Sequence, residues 1–205
     1  MKDLVSLFRF TLAGLRVLLV VTVVCGLAYP LAVTAAAQVA MPWRADGSLV
    51  TATGAHTTST HDAVGSALIG QVNTSNALFY PRPSAAGSGY DMTATAGTNL
   101  GPNDPRLVAA IAKAKATIAE REGVSVGQVP PDAATSSASG LDPDISPAYA
   151  AIQIPRVARA TGLSIADVTA LVARYTSGRT WDVLGEPRVN VLLLNIAVRN
   201  AAEHR

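Results

Sequence analysis

Cysteine is almost missing from this chain: Cys25 is the only one in 205 residues, so no intramolecular disulfide can form. A chain this long buries enough apolar surface without covalent staples, so an extracytoplasmic location stays open. Cys25 lies in an apolar run, where a thiol serves as a small hydrophobe rather than a nucleophile. Charge is also scarce, at 15% of residues against 49% apolar, which excludes a disordered polyelectrolyte. Residues 1–16 carry Lys2, Arg9 and Arg16 against Asp3, and the remaining 189 residues hold 13 basic and 13 acidic side chains. The basic pI of about 8.9 therefore belongs largely to a short tail. With no cluster of Lys and Arg to displace counterions, nucleic acid is excluded as a partner. A GxxxxGK[ST] phosphate loop and an Asp-Lys-Thr-Gly-Thr phosphorylation sequence are both lacking. Neither familiar route to nucleotide cleavage is open to the chain itself.

What the chain does have is one long uncharged run, the 27 residues Val17–Trp43. As a helix it spans about 40 Å, against a hydrocarbon core of ~30 Å. Eleven Val and Leu residues fall within Val17–Met41. At roughly −0.3 to −0.6 kcal/mol each, they favour insertion by about 3–6 kcal/mol before polar residues are set against them. Pro30 predicts a kink, which membrane helices tolerate, and Trp43 falls where an interfacial aromatic sits. Three basic residues precede the span; after it comes Arg44, then no Lys or Arg before Arg82. The positive-inside bias predicts a cytoplasmic tail at 1–16, a single-pass helix at 17–41 in the cell membrane and an extracytoplasmic remainder. A cleaved signal peptide ending near Ala35–Ala37 is the competing reading.

Residues 42–64, rich in Gly, Thr, Ser and Ala, read as a linker. Ala67–Val72 and Ala77–Tyr80 are predicted strands, bounded by turn residues. Asp104-Pro105 opens a predicted helix with its apolar stripe at Leu107, Ile111, Ala114 and Ile118, closed by Gly123. Ser146-Pro147 opens a second, running to Gly162 and bent or divided at Pro155. Ser164 with Asp167 opens a third, and Val191–Arg205 forms the last. The fold class is α+β: one transmembrane helix followed by one mixed extracytoplasmic domain, residues 65–205.

Candidate chemistry is thin. His56 and His61 flank a run of hydroxyl residues, without Cys or Glu nearby to complete a metal or nucleophile site; a flexible loop is the simpler reading. Asp142-Pro143-Asp144 supplies alternate carboxylates like half a calcium loop, but turn and helix-entry chemistry accounts for both. Arg82-Pro83-Ser84 could hold an anion or form a local salt bridge. Gln153 and Arg156 share a helix face and could meet a partner or satisfy each other inside the domain. Asn190 reads as a helix cap, whereas Asn195 sits mid-helix and calls for a buried polar partner. These readings leave a membrane-anchored domain with no visible active site. An anchored or secreted solute-binding module and a Ser/His hydrolase stand as alternatives.

Ordered local strings go further: Cys25–Leu31, Asp46–Val50, Gly65–Gln71, Arg82–Ala85, Asn99–Pro102, Ser137–Pro143, Gln153–Ala158 and Pro187–Leu192. In that order, over about residues 12–198, they resemble the KdpC family, the C subunits of the bacterial potassium-transporting P-type ATPase. Two departures are Asp144, where His is common, and Ala160-Thr161-Gly162 in place of Ala-Arg-Gly. The resemblance implies a noncatalytic subunit needed for assembly, beside a potassium-channel-like subunit, a P-type catalytic subunit and a small accessory peptide. It implies no metal and no cofactor of its own. ATP enters by family association, through a proposed effect on ATP affinity in which Ser139-Gly140-Leu141 and Gln153 are likened to a nucleotide signature. Motif residues for structure or partners are then Gly70, Gln71, Arg82, Pro83, Ser84, Asn99, Ser139, Gly140, Asp142, Pro143, Gln153, Arg156, Asn190 and Asn195. Gly26, Ala28 and Ala35–Ala37 would let the membrane helix approach neighbouring helices closely.

Overall fold

The computed structural model describes residues 2–204, which divide after Ser48 into two compact units. The first is one continuous apolar helix: α1 (Lys2–Val21), a π-helical stretch (Thr22–Ala28) and α2 (Tyr29–Ala40), then the short α3 (Pro42–Ala45). From Asp3 to Ala40 it is long and apolar enough to cross a membrane, and none of its most apolar window is buried. The irregularity falls just before Pro30. Tyr29 N–H bonds Val24 O, five residues back. The wider turn makes room where the proline ring would meet the carbonyl four residues earlier.

The second unit contains β1 (Leu49–Thr51), β2 (His56–Thr57) and β3 (Ala63–Ser66), antiparallel in the order β2-β1-β3. Then follow α4 (Pro105–Glu122), a 3-10 turn (Val126–Gln128), α5 (Pro131–Ala134), β4 (Asp144–Ile145), α6 (Pro147–Thr161) and α7 (Ile165–Arg174). The chain closes with β5 (Thr176–Ser177), β6 (Arg188–Asn190) and α8 (Val191–Glu203), the second sheet being antiparallel in the order β4-β6-β5. Side-chain caps start four helices as expected: Asp104, Ser146, Ser164 and Asn190 accept from Arg106, Tyr149, Asp167 and Leu193 backbone N–H. Gly123 and Gly162 end α4 and α6 in the left-handed region, at φ 69° and 76°. α6 is central. Its Tyr149, Ile154 and Val157 join Phe79, Ile118, Val168, Val189, Leu194 and Val198 in one core. Each such side chain stabilises by roughly 1.5–3 kcal/mol.

Three expectations need correction. The stretch read as a linker, 42–64, carries α3, β1, β2 and the start of β3, with Val50 fully buried. Strands of two to four residues are too short to show periodicity, so the signal fell below what a sequence displays. Ala67–Val72 and Ala77–Tyr80 are not ladder strands. In the first, Leu68 and Ile69 N–H turn back onto Ser66 and Gly70 N–H bonds Leu141 O; in the second, side chains supply the bonds a neighbouring strand would. Pro155 does not divide α6 into pieces, one of the two outcomes expected there: the helix runs unbroken to Thr161. Pro155 and Ala151, whose carbonyl loses its helical partner, are both exposed, so the break in hydrogen bonding falls on the solvent side of the helix.

Candidate functional site

Consecutive residues of an extended chain present their N–H and C=O to opposite sides. Phe79 and Tyr80 use that alternation. Asn195, from α8, accepts from Phe79 N–H at 2.7 Å and donates to Phe79 O at 2.9 Å. Gln153, from α6, accepts from Tyr80 N–H at 2.7 Å and donates to Tyr80 O at 3.2 Å. Two primary amides thus stand in for two neighbouring strands. The mid-helix Asn195 finds the buried partner its position demands, and Gln153 is completely buried.

Arg156 extends the grip. It donates to Leu78 O at 3.0 Å, to Asn76 O, to Gln153 Oε1 at 2.9 Å and to Glu122 at 2.8 Å. Glu122, its side chain fully buried, is shared with Arg121 at 2.6 Å. Arg121 also donates to the Tyr149 hydroxyl at 2.9 Å and lies 3.9 Å over the Tyr80 ring. Burial raises the Tyr149 hydroxyl above the ordinary tyrosine value, and the Arg121 charge opposes this. Tyr80, Arg121, Glu122 and Tyr149 were not among the sequence candidates. Glu122 had a signal: it lies four residues beyond Ile118 on the apolar stripe of α4, at a helix C-terminus that disfavours an acid.

A second group of motif residues ties three loops together. Arg82 meets Asp142 at 2.8 Å and the Thr135 carbonyl at 3.4 Å, while its Nε is buried without a partner. The Ser84 hydroxyl donates to Gly140 O at 2.7 Å and accepts from Ala86 and Tyr90 N–H. Tyr90 donates to Arg82 O at 2.7 Å, and burial, then the Asp142 charge, raises its hydroxyl well above the usual range. A Cβ on Gly70 would lie 2.5 Å from Asp142 O and from the Tyr90 ring; one on Gly140, at φ 72°, would lie 2.6 Å from Ala86. Both positions need glycine. Ser139 O accepts from Ala96 N–H and the Thr95 hydroxyl. Asn190 caps α8 and donates to Ala67 O at 2.8 Å, Pro143 O accepts from Val191 N–H, and Gln71 donates to Val64 O. Pro83 O accepts from Ser137 N–H. Asn99 stands apart in an exposed loop at φ 51°.

The two aspartates of the half calcium loop each have a cationic partner, Arg82 for Asp142 and Arg188 at 3.1 Å for Asp144. Burial and the Asp142 charge raise the Asp144 carboxyl above the ordinary range, with Arg188 pulling it back. Among the described residues no group of three or more His, Cys, Asp and Glu is placed to hold a metal ion. His61 is exposed beside Asp62 at 3.2 Å, and His56 lies in β2. Between α4 and the 80–90 segment runs an open groove of about 510 Å³, with Tyr80, Arg82, Tyr90, Lys113 and Arg121 on its walls.

The family model described as "KdpC: K+-transporting ATPase, c chain" matches residues 11–200. The chain belongs to the KdpC family. A potassium-transporting ATPase KdpC subunit from Kineococcus radiotolerans is 49% identical over 199 residues, covering 97% of both chains. Those of Gemmatimonas aurantiaca (50% identical, 85% of this chain and 84% of that protein) and Myxococcus xanthus (46%, 94% and 88%) bear the same name. A KdpC subunit is a noncatalytic member of a P-type K⁺-transporting ATPase. That accounts for motif residues engaged in holding a fold rather than lining a reaction centre.

Proposed function

We infer that the chain anchors in the cell membrane with residues 1–16 cytoplasmic, residues 17–41 spanning the bilayer and the domain from Leu49 onward outside. The charge pattern supports this sidedness: Lys2, Arg9 and Arg16 precede the span, and Arg44 is the one Lys or Arg after it before Arg82. The span packs against the transport subunits, Gly26, Ala28 and Ala35–Ala37 permitting close approach. The domain covers the potassium entrance of a channel-like subunit, next to a P-type catalytic subunit and a small accessory peptide. It favours one conformation of the pump by binding that conformation more tightly than the other.

One observation carries the noncatalytic reading. Arg82, Ser84, Gln153, Arg156 and Asn195 direct their hydrogen bonds at the domain's own backbone and side chains. Gln153, the residue likened to a nucleotide contact, is fully buried with both amide atoms engaged. Any influence on ATP affinity is therefore indirect, passing through the partner subunits.

The test is a chain ended after Ser48 and shown by co-purification to remain in the complex. K⁺ uptake and K⁺-stimulated ATPase activity are expected to fall together. Normal values for both would overturn the covering role.

A further inference from the structure

The groove beside α4 carries a surplus of positive charge. No Asp or Glu is among its lining residues, which include Arg82, Lys113 and Arg121. Asp142 neutralises Arg82. Arg121 and Arg156 share the single carboxylate of Glu122, leaving one positive charge in surplus, and exposed Lys113 adds a second. The nearby Asp91 carboxylate is turned onto Thr93 N–H and its hydroxyl, at 2.8 and 2.7 Å. Outside the N-terminal tail the chain is charge-balanced, so this surplus is local.

Spacing adds a shape. Lys113, Thr117 and Arg121 recur every four residues along one helix face, so the two basic residues leave the backbone about 12 Å apart at 1.5 Å per residue. That separation matches carboxylates four residues apart on an extended chain, roughly 13 Å at 3.3 Å per residue. Small Ala110 and Ala114 keep the helix wall flat, and Tyr80 and Tyr90 line the groove with their hydroxyls donated to Asn76 Oδ1 and Arg82 O.

We propose that this groove docks an extended, acidic polypeptide segment of a partner subunit, with carboxylates at positions i and i+4 meeting Lys113 and Arg121. The proposal rests on the chain acting as a subunit of the ATPase complex.

The test uses the assembled complex in detergent. A photoreactive benzoylphenylalanine replaces Ala110 at the groove rim, or Ile165 on α7 as a probe away from the groove. The Ala110 probe is expected to give an adduct on a partner-subunit segment bearing Asp or Glu, and the Ile165 probe is not. Lys113→Glu should lower that yield about fivefold, the loss expected from reversing one exposed charge pair, and Lys113→Arg should keep it. An adduct on lipid, on nucleotide or on a segment without acidic residues would overturn the proposal. So would no adduct, or a yield indifferent to Lys113→Glu, in a complex that co-purifies normally. If the unsubstituted chain fails to co-purify with an ATPase, the subunit reading fails instead.

Discussion

Replacing Asn195 by Asp and Gln153 by Glu swaps one nitrogen for oxygen in each amide, yet the two variants should respond to pH in opposite directions. In Asn195→Asp the lost donor matters modestly, about 1 kcal/mol, because Asn73 also donates to Phe79 O, at 3.1 Å. The larger effect is an oxygen facing the Phe79 carbonyl, where the amide nitrogen now sits 2.9 Å away in a buried site. Protonating the new carboxyl restores a donor, and holding that proton at pH 7 costs about 4 kcal/mol for three units above the ordinary Asp value of ~3.9. That bounds the loss, expected at about 2–4 kcal/mol at neutral pH. The folded-state pKa is raised, so the penalty is absent below ~3.9 and grows as pH rises toward the folded value. In Gln153→Glu, Tyr80 O loses its donor, at about 1–3 kcal/mol, but Arg156 sits 2.9 Å from the oxygen already present. Arg156, already bonded to that oxygen, holds the new carboxylate ionised and lowers its pKa. The compensating attraction is then present above the unfolded Glu value of ~4.3 and lost as pH falls through the folded one. The assay is urea unfolding of the full chain in detergent, followed by far-UV circular dichroism at pH 7 and at about 3.5, below the unfolded Glu value, each variant relative to wild type. Acidification should rescue Asn195→Asp and worsen Gln153→Glu. Parallel responses would refute the two-amide account of residues 79–80.

Gly70→Ala should destabilise by about 1–3 kcal/mol through overpacking, because its Cβ would meet backbone Asp142 and Tyr90 at 2.5 Å. Gly101→Ala, with open space and no left-handed φ, should be near neutral in the same unfolding assay. Asp144 should titrate above the ordinary carboxylate range by carboxyl ¹³C NMR, so a little stability is lost as pH rises through that midpoint. Asp142→Asn should lower the midpoint and Arg188→Ala raise it; no change in either would refute the stated causes. In a Cys25→Ser background, Asn103→Cys should react with a membrane-impermeant maleimide added to intact cells. Labelling only after lysis would reverse the proposed sidedness.

The helices were legible because their signals are local. Asp104, Ser146, Ser164 and Asn190 each bond an N–H two or three residues away, and Gly123 and Gly162 adopt the left-handed stop their places announce. The site was legible as a set of residues but not as an arrangement. Gln153 and Asn195 find their partners 73 and 116 positions away in sequence, a pairing that no window displays. The same non-locality hid the strand character of Phe79 and Tyr80, whose edge partners are side chains. Residues 42–64 looked unstructured because β1 exposes one fully buried side chain, Val50, to the reader and little else.

The π-helical interval at Thr22–Ala28 has an effect on the whole rod. A residue's worth of extra turn shifts the azimuth of everything beyond it by on the order of 100° relative to an unbroken α-helix. Gly14 and Ala35–Ala37 therefore do not share the meridian that a helical wheel would assign them. Deleting one residue within the interval would swing the alanine ridge round to a different side of the rod without altering its composition.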